Sequence, residues 1–165
     1  MSPRILVAGV GNIFLGDDAF GVEVARRLMQ REIPPNVTVR DFGIRSYDLA
    51  FALMNHWELS ILVDALPRGG RAGTIYVMEP ELPNGNVNQE ALDGHSMNPV
   101  AVLQLVQALG GKIARLLVVG CEPATVEPSA EGEMGLTAPV EGAIEEAIRV
   151  IEGLILTASG QAVAA

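Results

Sequence analysis

Apolar and polar positions follow two rhythms along this chain, and the switches between them mark its elements. Ile5-Leu6-Val7-Ala8 is a continuous apolar run, as a strand buried on both faces requires. After a glycine-rich turn the spacing changes to four: Phe20, Val24 and Leu28, with Ala25 and Met29 beside them, form the stripe of a helix lying on a sheet. Arg26, Arg27 and Arg31 gather near its C-terminal end, where positive charge complements the helix dipole, and Pro34-Pro35 stops it. Val37 to Asp41 alternates as a strand, and Phe42 to Ser46 turns into a short helix carrying Leu49, Ala50, Leu53 and Met54. Leu59 to Val63 is a third apolar strand, ending at Asp64.

The link Pro67 to Gly73 is dense in turn residues and leads into the strand Thr74 to Met78. A parallel return needs a crossover of a dozen or more residues, so this fourth strand is expected to run antiparallel to the third. Residues 80–94, rich in Pro, Gly and Asn, read as a long loop ending at Asp93-Gly94-His95-Ser96, and loops of that length in compact domains are usually functional. Asn98 and Pro99 suit a helix start, with Val100, Leu103, Val106 and Leu109 as its buried stripe and Gly110-Gly111 as its end. Leu116 to Val119 is the fifth strand. Thr137 with Pro139 opens one last helix whose Val140, Ile144, Ile148, Ile151 and Ile155 face inward. Strand and helix alternate with no further repeat, which predicts an α/β sandwich formed by a single domain over 1–157, with residues 158–165 as a frayed tail.

Composition narrows the partners. Of 165 residues, 49% are hydrophobic and 19% charged, so the chain can bury a core and cover a sheet on both faces. A net charge of −9 with only 11 Lys and Arg argues against a nucleic-acid backbone and suits a neutral or basic protein surface. No apolar run approaches the roughly 20 residues that cross a bilayer. A single cysteine, Cys121, cannot form an internal disulfide, and the N-terminus lacks a signal-peptide layout, so the expected compartment is the cytoplasm.

Chemistry is expected to gather at Gly9-Val10-Gly11-Asn12-Ile13-Phe14-Leu15-Gly16-Asp17-Asp18, where the first strand turns into the first helix. A dinucleotide fingerprint would have a third glycine at position 14, which is Phe, and Asp17 and Asp18 would repel the phosphate it should hold. Asp41 remains readable as a ribose-binding acid on that weaker alternative. The residues fit a cation site better. Ligands of such sheets bind beyond the carboxyl ends of the parallel strands, where strand order reverses, and Asp18 and Asp64 both map there if the first and third strands are neighbours. His95 can enter the same crevice from the long loop, completing a two-carboxylate, one-imidazole set suited to nickel, zinc or manganese. The plainer readings stand beside it: Asp18 as a helix cap, Asp64 as a strand-end acceptor, His95 as a cap for the following helix. Cys121 near His95 would be a nucleophile of a cysteine peptidase, or a small core residue. His56 reads as a surface residue.

Taken together, Gly9-Val10-Gly11-Asn12 with Gly16-Asp17-Asp18 and Gly21, then Asp41-Phe42-Gly43, Val63-Asp64-Ala65, Gly73-Thr74, Gly94-His95-Ser96-Met97-Asn98-Pro99 and Gly135-Leu136-Thr137-Ala138-Pro139-Val140, resemble the [NiFe]-hydrogenase maturation endopeptidases from Ile5 to about Ile151. Members of that family are cytoplasmic proteases that remove a C-terminal extension from the hydrogenase large subunit after nickel insertion. The resemblance implies a three-layer sandwich around a five-stranded sheet ordered 2-1-3-5-4, strand 4 antiparallel, with helices on both faces. It puts the metal-contacting and catalytic positions on Asp18, Asp64 and His95, and makes Asn12, Asp41 and Gly43 candidates for substrate contact. Ser46 stands where the family pattern has a glycine. The nickel is then expected to arrive with the large-subunit precursor rather than reside in the protease. A non-enzymatic module that docks nickel or a partner is the alternative from a different class.

Overall fold

The computed structural model describes residues 2–81, 99–124 and 135–160. Five strands, β1 (Ile5–Val10), β2 (Val37–Gly43), β3 (Leu59–Ala65), β4 (Ile75–Met78) and β5 (Leu116–Cys121), form one sheet in the order β2-β1-β3-β5-β4. The first four in that order are parallel, with Gly9 level with both Asp41 and Val63, while β4 runs antiparallel along β5. β4 runs antiparallel after the short link, as expected, and β5 lies between β3 and β4, which is the order 2-1-3-5-4 that the resemblance implies.

Alternation along the central strands builds two cores. Ile5, Val7, Ile61, Val63, Val119 and Cys121 point to one face, where α1 (Phe20–Met29), α4 (Ala138–Glu141) and α5 (Ile144–Ala158) pack. Leu6, Ala8, Val10, Leu62, Leu116 and Val118 point to the other, covered by α2 (Ser46–Leu53) and α3 (Pro99–Ala108). The central strands β1, β3 and β5 are apolar on both faces because helices remove both from water.

Three helical details depart from the periodicity. Met29, at the end of α1, is exposed, while Val22, outside the expected stripe, is buried. Val100 in α3 and Leu109 just beyond it are exposed, and Ala101, Val102 and Leu105 join Leu103 and Val106 in the core; a helix apolar nearly all round leaves several phases open to a stripe-based reading. The last helix is two: α4 ends at Glu141, the Ala143 peptide N–H turns back to Val140 O at 3.1 Å, and α5 starts at Ile144. All five expected inward residues are nonetheless buried.

Candidate active site

The joint between β1 and α1 has no room for a side chain at Gly11 or Gly21. A Cβ on Gly21 would lie 1.9 Å from Val63 O and 2.4 Å from Val10 O, so the first turn of α1 rests directly on the backbones of β1 and β3. Gly11 has φ 146°, and a Cβ there would lie 1.8 Å from Asp18 O. The glycines of this motif serve close packing of backbone on backbone, not the approach of a pyrophosphate.

Between them the chain is folded by short hydrogen bonds. Asn12 Oδ1 accepts the Phe14 N–H at 2.9 Å, Asn12 O accepts the Leu15 N–H at 3.1 Å, and a 3-10 turn over Gly16–Ala19 delivers the chain into α1. Asp18 turns back and accepts the Asn12 N–H on Oδ2 at 2.8 Å, which fixes its carboxylate over the end of β1. It makes no side-chain cap to the helix, so the capping reading fails.

Asp64, next to last in β3, faces away from Val63 and Cys121, on the side of α2 and α3. Its Oδ1 accepts the N–H of Ala65 at 2.8 Å. Asp18 and Asp64 line one open crevice of about 360 Å³ together with Gly11, Asn12, Leu15, Ile44, Leu66, Pro67 and Pro99. Burial, and then the neighbouring Asp18 charge, push the Asp64 carboxyl up to about 8. Among the described residues no Lys or Arg forms an ion pair with either acid. A carboxyl held up by burial and by a neighbouring negative charge is one that a divalent cation, displacing its proton, would stabilise as the carboxylate.

His95 lies outside the described residues, as do Asn98 and the loop before it; α3 begins at Pro99, on the crevice wall. No group of three metal-ligating side chains occurs among the described residues. Asn12 lines the crevice, whereas Asp41 and Gly43 line an adjoining pocket of about 300 Å³ that shares Gly11, Asn12 and Ile44 with it. There Asp41 Oδ1 accepts the Gly43 N–H at 2.9 Å and Oδ2 lies 3.5 Å from Arg26 Nε. Ser46 is buried at the start of α2, after an inverse γ-turn in which its N–H reaches Ile44 O at 3.0 Å around Arg45 (φ −82°, ψ 78°), so the loop closes without glycine at 46. The rim is apolar: Phe14, Leu15 and Ile44 are 61%, 58% and 56% exposed, with Tyr47 and Phe51 beyond them on α2.

Cys121 is fully buried in the opposite core, level with Ala65 rather than Asp64, and burial together with the Asp17, Glu146 and Glu122 charges pushes its thiol up to about 12. A thiol so placed is neither accessible nor ionised at neutral pH, which removes the cysteine-peptidase alternative. His56 is exposed, as expected.

One further feature was missed by the periodicity. Asp17, only 7% exposed, accepts the N–H of Thr137 on Oδ1 at 2.7 Å, the N–H of Ala124 on Oδ2 at 2.9 Å, and the Thr137 hydroxyl at 3.1 and 2.9 Å. Thr137, which in sequence looks like a helix cap, makes no side-chain cap at all. The signal available was the Asp17-Asp18 doublet, one acid more than a single role requires.

Comparison with known proteins agrees with this architecture. A family model described as hydrogenase maturation protease (HycI) matches residues 22–154. The chain is 33% identical over 150 residues to the hydrogenase 2 maturation protease of Escherichia coli, covering 90% of this chain and 88% of that one. It is 34% identical over 164 residues to the hydrogenase expression/formation protein HupD of Rhizobium leguminosarum bv. viciae, covering 95% and 79% respectively. The solved structure of the hydrogenase maturating endopeptidase HybD from E. coli superimposes with a TM-score of 0.73 at 32% identity, over 95% of this chain and 94% of that one. A 3-10 turn and a β-strand end that present two acids to one crevice, on this sheet order and with these relatives, make the chain a member of the hydrogenase maturation protease family, a peptide hydrolase.

Proposed function

We propose that this protease removes the C-terminal extension of a [NiFe]-hydrogenase large-subunit precursor whose nickel is already in place, and that the nickel is what it recognises. The observation that carries the reading is the pair Asp18 and Asp64, two acids in one crevice with one of them held at about 8 by burial and mutual repulsion. Such a pair is poorly satisfied alone and well satisfied by a hard or borderline divalent cation. With His95 as third donor, the set leaves coordination positions for ligands that the precursor itself supplies. Asn12, Asp41 and Gly43, at the crevice and its adjoining pocket, are the substrate-contacting positions, and the apolar rim of Phe14, Leu15 and Ile44 suits a protein partner. Nickel is cargo on this reading, so the isolated protease carries little tightly bound metal.

The test is incubation of the purified protein with nickel-loaded and nickel-free precursor, followed by intact mass. Loss of a C-terminal peptide from the loaded form alone supports the reading. A stable complex without cleavage favours a docking module, cleavage of both forms removes nickel from recognition, and stoichiometric nickel or zinc in the protein as purified points to a resident-metal hydrolase.

A further inference from the structure

Asp17 is a charged side chain almost wholly withdrawn from water, and the cleavage chemistry proposed above does not use it. Its two carboxylate oxygens take up two peptide N–H groups, from Ala124 and Thr137, and share the Thr137 hydroxyl. Ala124 follows β5 and Thr137 precedes α4, so one side chain on the 3-10 turn ties that turn to two distant parts of the chain. The next residue is Asp18, whose carboxylate is held only by the Asn12 N–H among the described contacts. A 3-10 turn of four residues has little stiffness of its own.

We infer that Asp17 is a positioning residue: its hydrogen bonds to Ala124 and Thr137 hold the turn so that the neighbouring Asp18 carboxylate stays over the end of β1. Charge-assisted bonds to peptide N–H groups are short and strong, and in a dry site they define an orientation. Each carboxylate oxygen receives a peptide N–H. In Asp17→Asn one of those N–H groups therefore faces a carboxamide NH2 whichever way the amide is turned, so a substitution that spares a helix cap does not spare this contact.

The exchange readout below is independent of the proposed function; the cleavage readout rests on it. Amide hydrogen exchange of the full-length protein reports the Asn12 N–H, which is protected by Asp18 Oδ2 and so registers where that carboxylate sits. In Asp17→Asn the Asn12 amide is expected to exchange at least tenfold faster than in the wild type, while the amides of Ile5 to Ala8 keep their protection. Cleavage of nickel-loaded precursor at a temperature where the variant is fully folded is expected to fall at least tenfold in kcat/KM. Thr137→Ser should behave as wild type in both, and Thr137→Val, which keeps the peptide bonds but loses the hydroxyl, should lie between. Unchanged Asn12 protection, or equal loss at Asn12 and across β1, overturns the inference, the second because it reports global destabilisation. If Asp17→Asn does not fold, the contrast between Thr137→Ser and Thr137→Val decides: a difference confined to Asn12 supports positioning, and no difference removes it. Should the wild type fail to cleave the precursor, the proposed function fails and the exchange result still stands on its own.

Discussion

Asp64 puts a pH signature on the folded protein before any partner binds. Its carboxyl titrates at about 8 in the fold, whereas an aspartate in an unfolded chain titrates near ~3.9. The folded state therefore holds this proton more tightly, so the contribution is favourable below the unfolded value and is lost as pH rises through that window to about 8. Asp64→Asn removes the ionisation, and its melting temperature is expected to exceed that of the wild type at pH 9, with the gap narrowing toward pH 6. Thermal melts across that range check it, and an unchanged gap would show that Asp64 is solvated. The same variant, with Asp18→Asn and His95→Ala, should lose precursor cleavage while remaining folded by circular dichroism. Asn keeps the size of Asp but not the charge a cation needs. Cys121→Ser should keep activity, since the side chain is buried on the far face of the sheet. Of these residues, the meeting of Asp18 and Asp64 at one crevice was legible from sequence because each follows an apolar run read as a parallel strand. Asp17 was not, because its partners lie 107 and 120 positions away and no local spacing encodes them.

Elements were read correctly wherever one pattern admitted one phase. The central strands, buried on both faces, and the stripe of α5 left no choice. α3 did leave one, since its Val, Leu and Ala residues satisfy several stripes and the neighbour α2 decides which is covered. The break between α4 and α5 was hidden for a related reason: Val140 and Ile144 remain in one core on either side of it, so the apolar spacing runs through unbroken. The β1–α1 joint gives the sharpest test at this scale. Gly21→Ala must displace the backbone oxygens of Val10 and Val63, and is expected to cost about 3 kcal/mol or more. Chemical denaturation would measure it, and a loss no larger than that of an ordinary helix glycine would mean that α1 can slide outward at no cost.

Across the whole molecule, the two cores carry stability and the proposed chemistry lies apart from them, at the carboxyl ends of β1 and β3, so the two can be separated. Ile148→Ala, in the layer away from the crevice, should cost roughly 2–5 kcal/mol and leave kcat/KM near wild type in the folded fraction. The ion pairs of Arg27 in α1 with Glu141 in α4, and of Arg31 just past α1 with Glu145 in α5, lie at the surface, and their exposure means that Arg31→Ala should leave the melting temperature unchanged within error. Among the described residues no helix is long and apolar enough to cross a membrane. The seat of Gly21 on the carbonyls of Val10 and Val63 acts at this scale as a gauge block. The seating of α1, whose preceding turn carries Asp18, against β3, which carries Asp64, is set there by main chain pressed on main chain, with no side chain in between to grow or shrink. Substitutions among the core side chains of α2, α3 or α5 can therefore repack those helices without entering that contact. The approach of the two acids is calibrated there by backbone atoms that such substitutions do not replace.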